Sequence, residues 1–176
     1  MSRKLIALCG APLAGKSTVQ NILRDEWGVL PVDDGEPLRD FAIRHLGITR
    51  HQAYTPEGKN EYVVVGGRRM QVRAVLGQVG NALEASFGQN VVAEMALMKC
   101  DSHRTYSFGS VRRGQGVIYR RAGGIVVEVK KPGCEIENEF DRYDGDLIDF
   151  TILNDGDVNL LRGRVMHALS PYLAKP

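Results

Sequence analysis

A stretch of eight residues near the start of the chain combines two glycines, a lysine and a serine at fixed spacing. Gly10 to Ser17 reads G-A-P-L-A-G-K-S, which fits the pattern G-x-x-x-x-G-K-[ST]. Glycines let a backbone curl so that its N–H groups point inward and can bind phosphate oxygens. A lysine at the position of Lys16 reaches the β- and γ-phosphates of a nucleotide, and a hydroxyl at Ser17 can bind Mg²⁺.

The elements on either side of this stretch are the ones that such a loop needs. The apolar run over residues 4–9, closed by Gly10, predicts a buried strand. Apolar residues then recur on one face of a helix that Gly28 ends, and the helix start adds its positive dipole end to the loop. Because motif and context agree, the sequence predicts that this chain binds a nucleoside triphosphate.

Strands and helices alternate along the rest of the chain. Strands are predicted over residues 29–32, 105–111, 124–129 and 147–153. Helices are predicted over 37–46, 72–83 and about 90–99, and a last helix is capped by Asp157. Residues 47–67 are polar and irregular and predict an excursion from the core. The alternation predicts an α/β domain with a parallel sheet covered on both faces.

Composition narrows the classes of function. A net charge of +2 over 176 residues does not favour a general nucleic-acid binder, and no run reaches the ~18 apolar residues of a membrane span. The three cysteines are far apart, and the four histidines form no cluster with metal-ligand spacing. We expect a protein of a reducing, cytoplasmic compartment that has no membrane partner.

The sequence also discriminates between the classes of protein that share this loop. It contains no Asn-Lys-x-Asp stretch of the kind that reads guanine. The one predicted strand that ends in adjacent acids is the one before Asp33 and Asp34. At this length a small-molecule kinase is favoured, since kinases need chiefly Mg²⁺, cations and an acceptor held in line. The arginines that could supply the cations are Arg39, Arg68, Arg69, Arg73, Arg112 and Arg113.

Four stretches together resemble the deoxynucleoside monophosphate kinases of tailed phages, the T-even type. The first is the phosphate loop, and the second is GEPLR at 35–39. The third runs from KNE at 59–61 to RAVLGQVGN at 73–81. The fourth comprises SVR at 110–112, AGGIVV at 122–127, KPG at 131–133 and NDG at 154–156. The likeness extends over nearly the whole chain, and the order and spacing of the pieces carry it.

The resemblance implies a fold and an activity. The fold is the three-layer P-loop NTPase fold, a five-stranded parallel sheet flanked by helices, in one domain. Its core comprises about residues 1–46 and 101–176, a helical region for the nucleoside monophosphate covers about 47–100, and a lid covers about 130–146. The activity is ATP-dependent phosphorylation of a deoxynucleoside 5′-monophosphate by a monomer or homodimer, with Mg²⁺ as cofactor.

The resemblance also implies roles for individual residues. Lys16, Arg112 and Glu36 would be catalytic, with Glu36 as the carboxylate nearest the acceptor and Arg112 bridging donor and acceptor. Ser17 would hold Mg²⁺, with Asp33 or Asp34 holding its waters. The donor phosphates would be bound by Gly10, Ala11, Ala14, Gly15, Lys16, Ser17 and Thr18. The acceptor would be bound by Asp33, Arg39, Arg73, Gln78 and Asn81, of which Gln78 and Asn81 are candidates for reading the base.

Several positions depart from the pattern of that family. Ser110 stands where the family has Asp, Gln115-Gly116 where it has Asn-Glu, and Gly77 where it has Gln. A His-x-Ser-Glu stretch is reduced to the residues at 136–139. Two alternatives therefore stay open: a kinase for a modified pyrimidine, free or within DNA, and a nucleotide-binding relative without catalysis. In the DNA alternative, Arg112, Arg113, Arg120 and Arg121 would contact backbone phosphates.

Overall fold

The computed structural model describes residues 4–136 and 139–174. Within the second range, residue 140 is described by its backbone alone. The strands are β1 (Leu5–Cys9), β2 (Leu30–Val32), β3 (Tyr62–Val65), β4 (Arg68–Gln71), β5 (Tyr106–Phe108), β6 (Ile125–Lys130) and β7 (Phe150–Leu153). The helices are α1 (Lys16–Trp27), α2 (Glu36–His45), α3 (Arg50–Tyr54), α4 (Pro56–Asn60), α5 (Val72–Phe87), α6 (Val91–Leu97), α7 (Gly116–Arg121) and α8 (Val158–Leu173). They form two compact units, one running to Asp34 and resuming at Ala93, the other covering Gly35–Val92.

A five-stranded parallel sheet forms the centre of the first unit. Its strand order is β2-β5-β1-β6-β7, with β1 in the middle. Ala7 lies opposite Phe108 on one side and opposite Val126 on the other. Every residue of β1 is buried, because a central strand has neighbours at both edges and helices over both faces. The predicted α/β fold with a five-stranded parallel sheet flanked by helices is confirmed.

Alternate residues of β1 belong to two different hydrophobic cores. Ile6 and Leu8 pack in the core that α1 and α8 cover. Leu5 and Ala7 pack in the opposite core, which α6 and α7 cover and in which the rings of Phe108 and Tyr119 lie 4.4 Å apart. Side chains alternate between the faces of a strand, so one continuous apolar run supplies both cores. The result is a helix–sheet–helix sandwich.

The second unit has a hydrophobic core of its own. That core is built from Ala42, Ile48, Ala53, Val72 and Val75, contributed by α2, α3, α5 and the loop between α2 and α3. Thr49 and Gln52 form a capping box at the start of α3, which satisfies two backbone N–H groups there.

An antiparallel hairpin of β3 and β4 lies within the stretch that the sequence predicts to be irregular. Val65 pairs with Arg68 across a two-residue turn. Both turn residues, Gly66 and Gly67, have positive φ angles, of 57° and 76°, which is what a tight hairpin turn requires.

The other predicted elements agree with the structure apart from their ends. Pro37 lies in the first turn of α2, and the Asp157 carboxylate accepts a hydrogen bond from the Leu160 N–H (2.8 Å) to cap α8. β7 begins at Phe150 instead of residue 147, because residues 145–147 form a 3₁₀ turn that Asp144 caps. The helix α7 has no counterpart among the predictions. None of the helices over residues 4–136 and 139–174 has the length and apolar character needed to cross a membrane.

Candidate active site

The loop from Gly10 to Ser17 joins the end of β1 to the start of α1 and has little room for side chains at its two glycines. Gly10 has a φ angle of 140°, and a Cβ there would lie 2.3 Å from the carbonyl oxygen of Val129. Gly15 has a φ angle of 103°, and its Cβ would lie 2.5 Å from the side-chain nitrogen of Asn154. Both glycines are therefore required by backbone conformation and by the close approach of β6 and of the segment after β7.

The side chain of Lys16 folds back over this loop. Its Nζ donates hydrogen bonds to the carbonyl oxygens of Gly10 (2.7 Å) and Ala11 (2.8 Å). Burial lowers the pKa of Lys16, and the negative charge of Asp141 partly opposes that effect. Ser17 follows in the first turn of α1 with its side chain exposed, and Thr18 is half-buried beside it. The ammonium thus bonds within the loop and the hydroxyl lies at the start of α1, and their roles toward phosphate and Mg²⁺ stay predictions.

Asn154 holds the loop from the side of β7, a contact that the sequence analysis did not foresee. Its side-chain nitrogen donates to the carbonyl oxygen of Ala14 (2.8 Å), and its backbone N–H donates to the carbonyl of Lys130 (2.7 Å). In the sequence, the NDG stretch that contains Asn154 enters only as part of the resemblance and predicts no contact with the loop. Its position after the last sheet strand was the signal that could have linked it to the loop.

Asp34 is the buried carboxylate of the site. Its side chain is 3% exposed, and its Oδ2 accepts a hydrogen bond from the Ser110 N–H (3.1 Å). Its Oδ1 is buried without a hydrogen-bond partner in the described part of the chain. Burial raises the pKa of Asp34 to about 6, against the opposing charge of Arg112. Asp33, the residue named first in the sequence analysis, is only half-buried.

Arg112 lies beyond the end of β5 and faces the same region. Its backbone N–H donates to the side chain of Gln115 (3.1 Å), and its Nη2 lies 3.6 Å from Oδ1 of Asp141. Its charge acts on both Lys16 and Asp34. Lys16, Asp34 and Arg112 therefore all lie beyond the carboxyl ends of parallel strands, β1, β2 and β5, the edge at which sheets of this kind bind ligands.

Two residues of the site are suited to binding Mg²⁺. Magnesium retains several waters and is usually bound by one or two protein oxygens together with substrate phosphates. An exposed hydroxyl on Ser17 and a buried carboxylate oxygen on Asp34 with no partner in the described chain match that requirement. Over the described residues, no group of three or more His, Cys, Asp or Glu side chains could hold a metal ion by itself.

The remaining predicted site residues belong to the second unit. Glu36 and Arg39 lie in the first turns of α2, and Arg73, Gln78 and Asn81 follow one another along α5. Arg73 is half-buried, whereas Gln78 and Asn81 are exposed. Their roles toward an acceptor stay predictions.

Arg39 is held in place by neighbours on both sides. A Cβ on Gly35 would lie 2.2 Å from its Nη1, so any larger residue there would require this guanidinium to move. On the other side the guanidinium carbon lies 5.0 Å from the ring centroid of Tyr54, which Arg50 also approaches at 4.9 Å. Both distances are within the range of a cation–π contact.

Comparisons with known proteins give structural likeness only. No protein-family model and no curated protein matches the chain. The solved structure of TT1252 from Thermus thermophilus is similar at a TM-score of 0.52 and 19% identity, over 98% of this chain and 99% of that one.

Two kinases are more distant. A shikimate kinase from Aquifex aeolicus is similar at a TM-score of 0.47 and 14% identity, over 98% of this chain and 99% of that one. An APS kinase from Mycobacterium tuberculosis is similar at a TM-score of 0.49 and 15% identity, over 96% of this chain and 98% of that one. At such identities the likeness to TT1252 concerns the fold, an α/β architecture with a five-stranded parallel sheet flanked by helices.

Proposed function

We propose that this protein is a phosphotransferase that uses Mg²⁺ and ATP to convert a deoxynucleoside 5′-monophosphate to the diphosphate. The observation that carries the proposal is that Lys16, Asp34 and Arg112 all follow parallel strands at one edge of the sheet, the edge where the glycine-bounded loop lies. Phosphoryl transfer requires little covalent chemistry from the protein. It requires cations that stabilise the phosphate charge and an oxygen ligand for Mg²⁺, and these three residues can supply both.

The donor side of the reaction rests on the first unit. The backbone N–H groups of the loop and the start of α1 would bind the phosphates of ATP. When Lys16 turns from the carbonyls of Gly10 and Ala11 toward a phosphate, it exchanges two neutral acceptors for a charged one. Bound Mg²⁺ would neutralise charge on the donor phosphates, with Ser17 and the carboxylate of Asp34 or Asp33 as the protein oxygens that hold it or its waters.

The transfer step itself requires no proton to be taken from the acceptor. An oxygen of the acceptor monophosphate, largely ionised at neutral pH because its second pKa is about 6, forms a bond to the γ-phosphorus of ATP. The bond from that phosphorus to the β–γ bridging oxygen breaks, and ADP leaves. Arg112 would stabilise the charge on the transferring group, while Arg39 and Arg73 would bind the acceptor monophosphate and Glu36 would be the carboxylate nearest to it.

DNA as the acceptor is less well supported than a free nucleotide. Two of the arginines that would contact a DNA backbone already face carboxylates, since Arg112 lies 3.6 Å from Asp141 and Arg120 lies 3.3 Å from Asp149. A modified pyrimidine nucleotide remains within the proposal, because the departures at Ser110 and Gly77 concern the choice of acceptor.

The test is ADP release from Mg²⁺-ATP in the presence of a panel of acceptors. The panel contains each common deoxynucleoside monophosphate, the matching ribonucleotides, hydroxymethyl-pyrimidine monophosphates, and DNA. Lys16→Ala should abolish the acceptor-dependent signal without unfolding the chain, because the hydrogen bonds of this side chain go to two carbonyls of the loop it lies on. Arg24→Ala, which removes an exposed cation two turns further along the same helix, is the matched control.

Each outcome of the panel has a definite meaning. Stimulation by one or a few free deoxynucleotides that is lost in Lys16→Ala supports the proposal and names the base. Stimulation by DNA alone would assign the protein to nucleic-acid modification instead. Binding of ATP without any stimulated release would show a nucleotide-binding protein that is not a kinase, and the proposal would be wrong.

A further inference from the structure

The segment of residues 139–147 is bound to the chain directly after Arg112. The backbone N–H of Arg113 donates to the carbonyl of Arg142 (2.6 Å), and the N–H of Asp144 donates to the carbonyl of Arg113 (3.0 Å). These two bonds form a short parallel bridge between Arg113 and Tyr143. The segment is thus attached next to the proposed phosphate site in the manner of an extra strand.

A side chain anchors the same segment to the sheet. The hydroxyl of Tyr143 donates to Oε1 of Glu128 (2.6 Å), and the hydroxyl of Thr151 donates to the other oxygen of that carboxylate (2.8 Å). The Tyr143 ring packs against the hydrophobic core beneath α6 and α7. Backbone bonds on one side and a packed, hydrogen-bonded ring on the other fix where the neighbouring Asp141 can lie.

This attachment places the carboxylate of Asp141 among the cations of the site. Its side chain is 14% exposed, and its Oδ1 lies 3.6 Å from Nη2 of Arg112. Burial is the largest influence on the pKa of Lys16, and Asp141 is the strongest of the charges that act on it. One carboxylate therefore pairs with Arg112 and also acts electrostatically on Lys16, the two cations that would bind phosphate groups in the proposed function.

We propose that Asp141 is an internal anion that competes with the nucleotide phosphates for Lys16 and Arg112 and thereby sets the affinity for the donor. The proposal rests on the proposed function only in taking these two residues as phosphate-binding cations. A phosphate bound to Arg112 would lie close to the carboxylate of Asp141, and two negative charges repel each other at short distance. Polyphosphate binding therefore requires Arg112 to exchange Asp141 for the ligand. Asp141 thus prevents weakly binding anions from reaching Arg112, whereas a polyphosphate, which carries more charge, displaces it.

The experiment measures the affinity of the full chain for tripolyphosphate and for a non-hydrolysable ATP analogue by titration calorimetry, without an acceptor. Asp141→Asn keeps the size of the side chain and removes its charge, and we expect ~5- to 10-fold tighter binding of both ligands. Asp141→Glu keeps the charge and should bind within about twofold of the parent. Glu139→Gln removes an equal charge from an exposed position of the same turn and is the matched control.

The outcomes separate this inference from the function on which it rests. Tighter binding in Asp141→Asn and not in Glu139→Gln supports the inference. Unchanged or weaker binding in Asp141→Asn, with binding still lost in Lys16→Ala, would overturn it and leave the phosphate site intact. If the parent and every variant fail to bind either ligand, both the inference and the phosphate site are wrong. Should Asp141→Asn not fold, Tyr143→Phe, which removes the bond to Glu128, must tighten binding in the same direction, or the inference fails.

Discussion

The buried charge of Asp34 lowers the stability of the folded chain, and the same carboxylate is available to the candidate site. Its carboxylate is buried at 3% exposure with one oxygen lacking a partner among the described residues. The raised pKa, about 6 against 3.8, means that the folded chain favours the protonated form. Stability from this group is therefore fully present below pH 3.8 and is lost as the pH rises through about 6. A charge held at such cost is expected where a ligand will compensate it.

We expect Asp34→Asn to stabilise the chain and to impair phosphoryl transfer. Its amide oxygen can still accept the Ser110 N–H, while the cost of the buried charge, about 3 kcal/mol for a pKa raised from 3.8 to about 6, disappears. Urea unfolding of both proteins should give equal stability near pH 4 and a gain for the variant that grows to about 1–3 kcal/mol by pH 7. A difference that does not change with pH would contradict this account.

Arg112 should matter more for turnover than for the binding of ATP. Its side chain is 43% exposed, and its guanidinium pairs with Asp141 at 3.6 Å. Arg112→Ala should lower kcat by about 10²-fold or more, as expected for a lost transition-state cation. It should also weaken ATP binding, because a phosphate contact is lost and Asp141 is left without its partner, but by a smaller factor than kcat. Arg120→Ala, which removes an arginine of similar exposure paired with Asp149, should leave kcat for free nucleotides unchanged. Equal losses in kcat and ATP affinity would make Arg112 a binding residue only.

At the scale of secondary structure, the phosphate loop depends on strands that are distant in sequence. β6 supplies the carbonyl of Val129 beneath Gly10, and the residue after β7, Asn154, donates to the carbonyl of Ala14. The loop is therefore shaped by three strand ends together. Its conformation cannot be a property of the eight motif residues alone.

The contact from Asn154 gives a test at this scale. Asn154→Asp keeps the size of the side chain but replaces the donating nitrogen by an oxygen, which repels the Ala14 carbonyl. We expect a loss of ~1–3 kcal/mol in unfolding free energy, together with weaker ATP binding by titration calorimetry. Asn159→Asp, which adds the same charge at an exposed position in the first turn of α8, is the control for the charge change. Unchanged ATP affinity in Asn154→Asp would show that the loop keeps its shape without this bond.

Local signals allowed most of these elements to be predicted, and the failures have physical causes. β1, α1 and the cap at Asp157 follow from apolar periodicity and helix-end chemistry, which act within a few residues. The β3–β4 hairpin was missed although Gly66-Gly67 between two extended runs is a hairpin signal. The helix α7 begins at Gly116 without a side-chain cap and gives no such signal.

The site could be predicted only in part. The motif residues lie at the loop, as their spacing predicts, because they are contiguous. The sequence could not show which of Asp33 and Asp34 is buried, since that depends on Ser110 reaching it from 76 positions away. The same holds for Asp141, whose approach to Arg112 depends on the bridge between Arg113 and Tyr143.

At the scale of the whole molecule, the candidate residues divide between the two compact units. The loop, Asp34 and Arg112 lie in the first unit, and Arg39, Arg73, Gln78 and Asn81 lie in the second. If the proposed roles hold, substitutions in the two units should affect different substrates. The KM for ATP should respond to the first unit and the KM for the acceptor to the second.

Tyr54 offers a test of this division. Its ring contacts the guanidinium groups of Arg39 and Arg50, so Tyr54→Leu should misplace Arg39 and raise the KM for the acceptor about fivefold, as the loss of a partly buried cation–π contact implies. Tyr54→Phe retains the ring and should show a clearly smaller rise. The KM for ATP should stay the same in both variants. A rise in the KM for ATP, or equal effects of Leu and Phe, would contradict the assignment.

The only tryptophan of the chain, Trp27, lies at the end of the helix that starts in the phosphate loop and packs against the core beneath α8. Its intrinsic fluorescence therefore reports on the first unit alone, without any label. Circular dichroism in the far ultraviolet, by contrast, reports on the helices of both units. Coincident denaturation curves from the two signals would show that the units unfold as one cooperative body, and separated curves would show that each has its own stability.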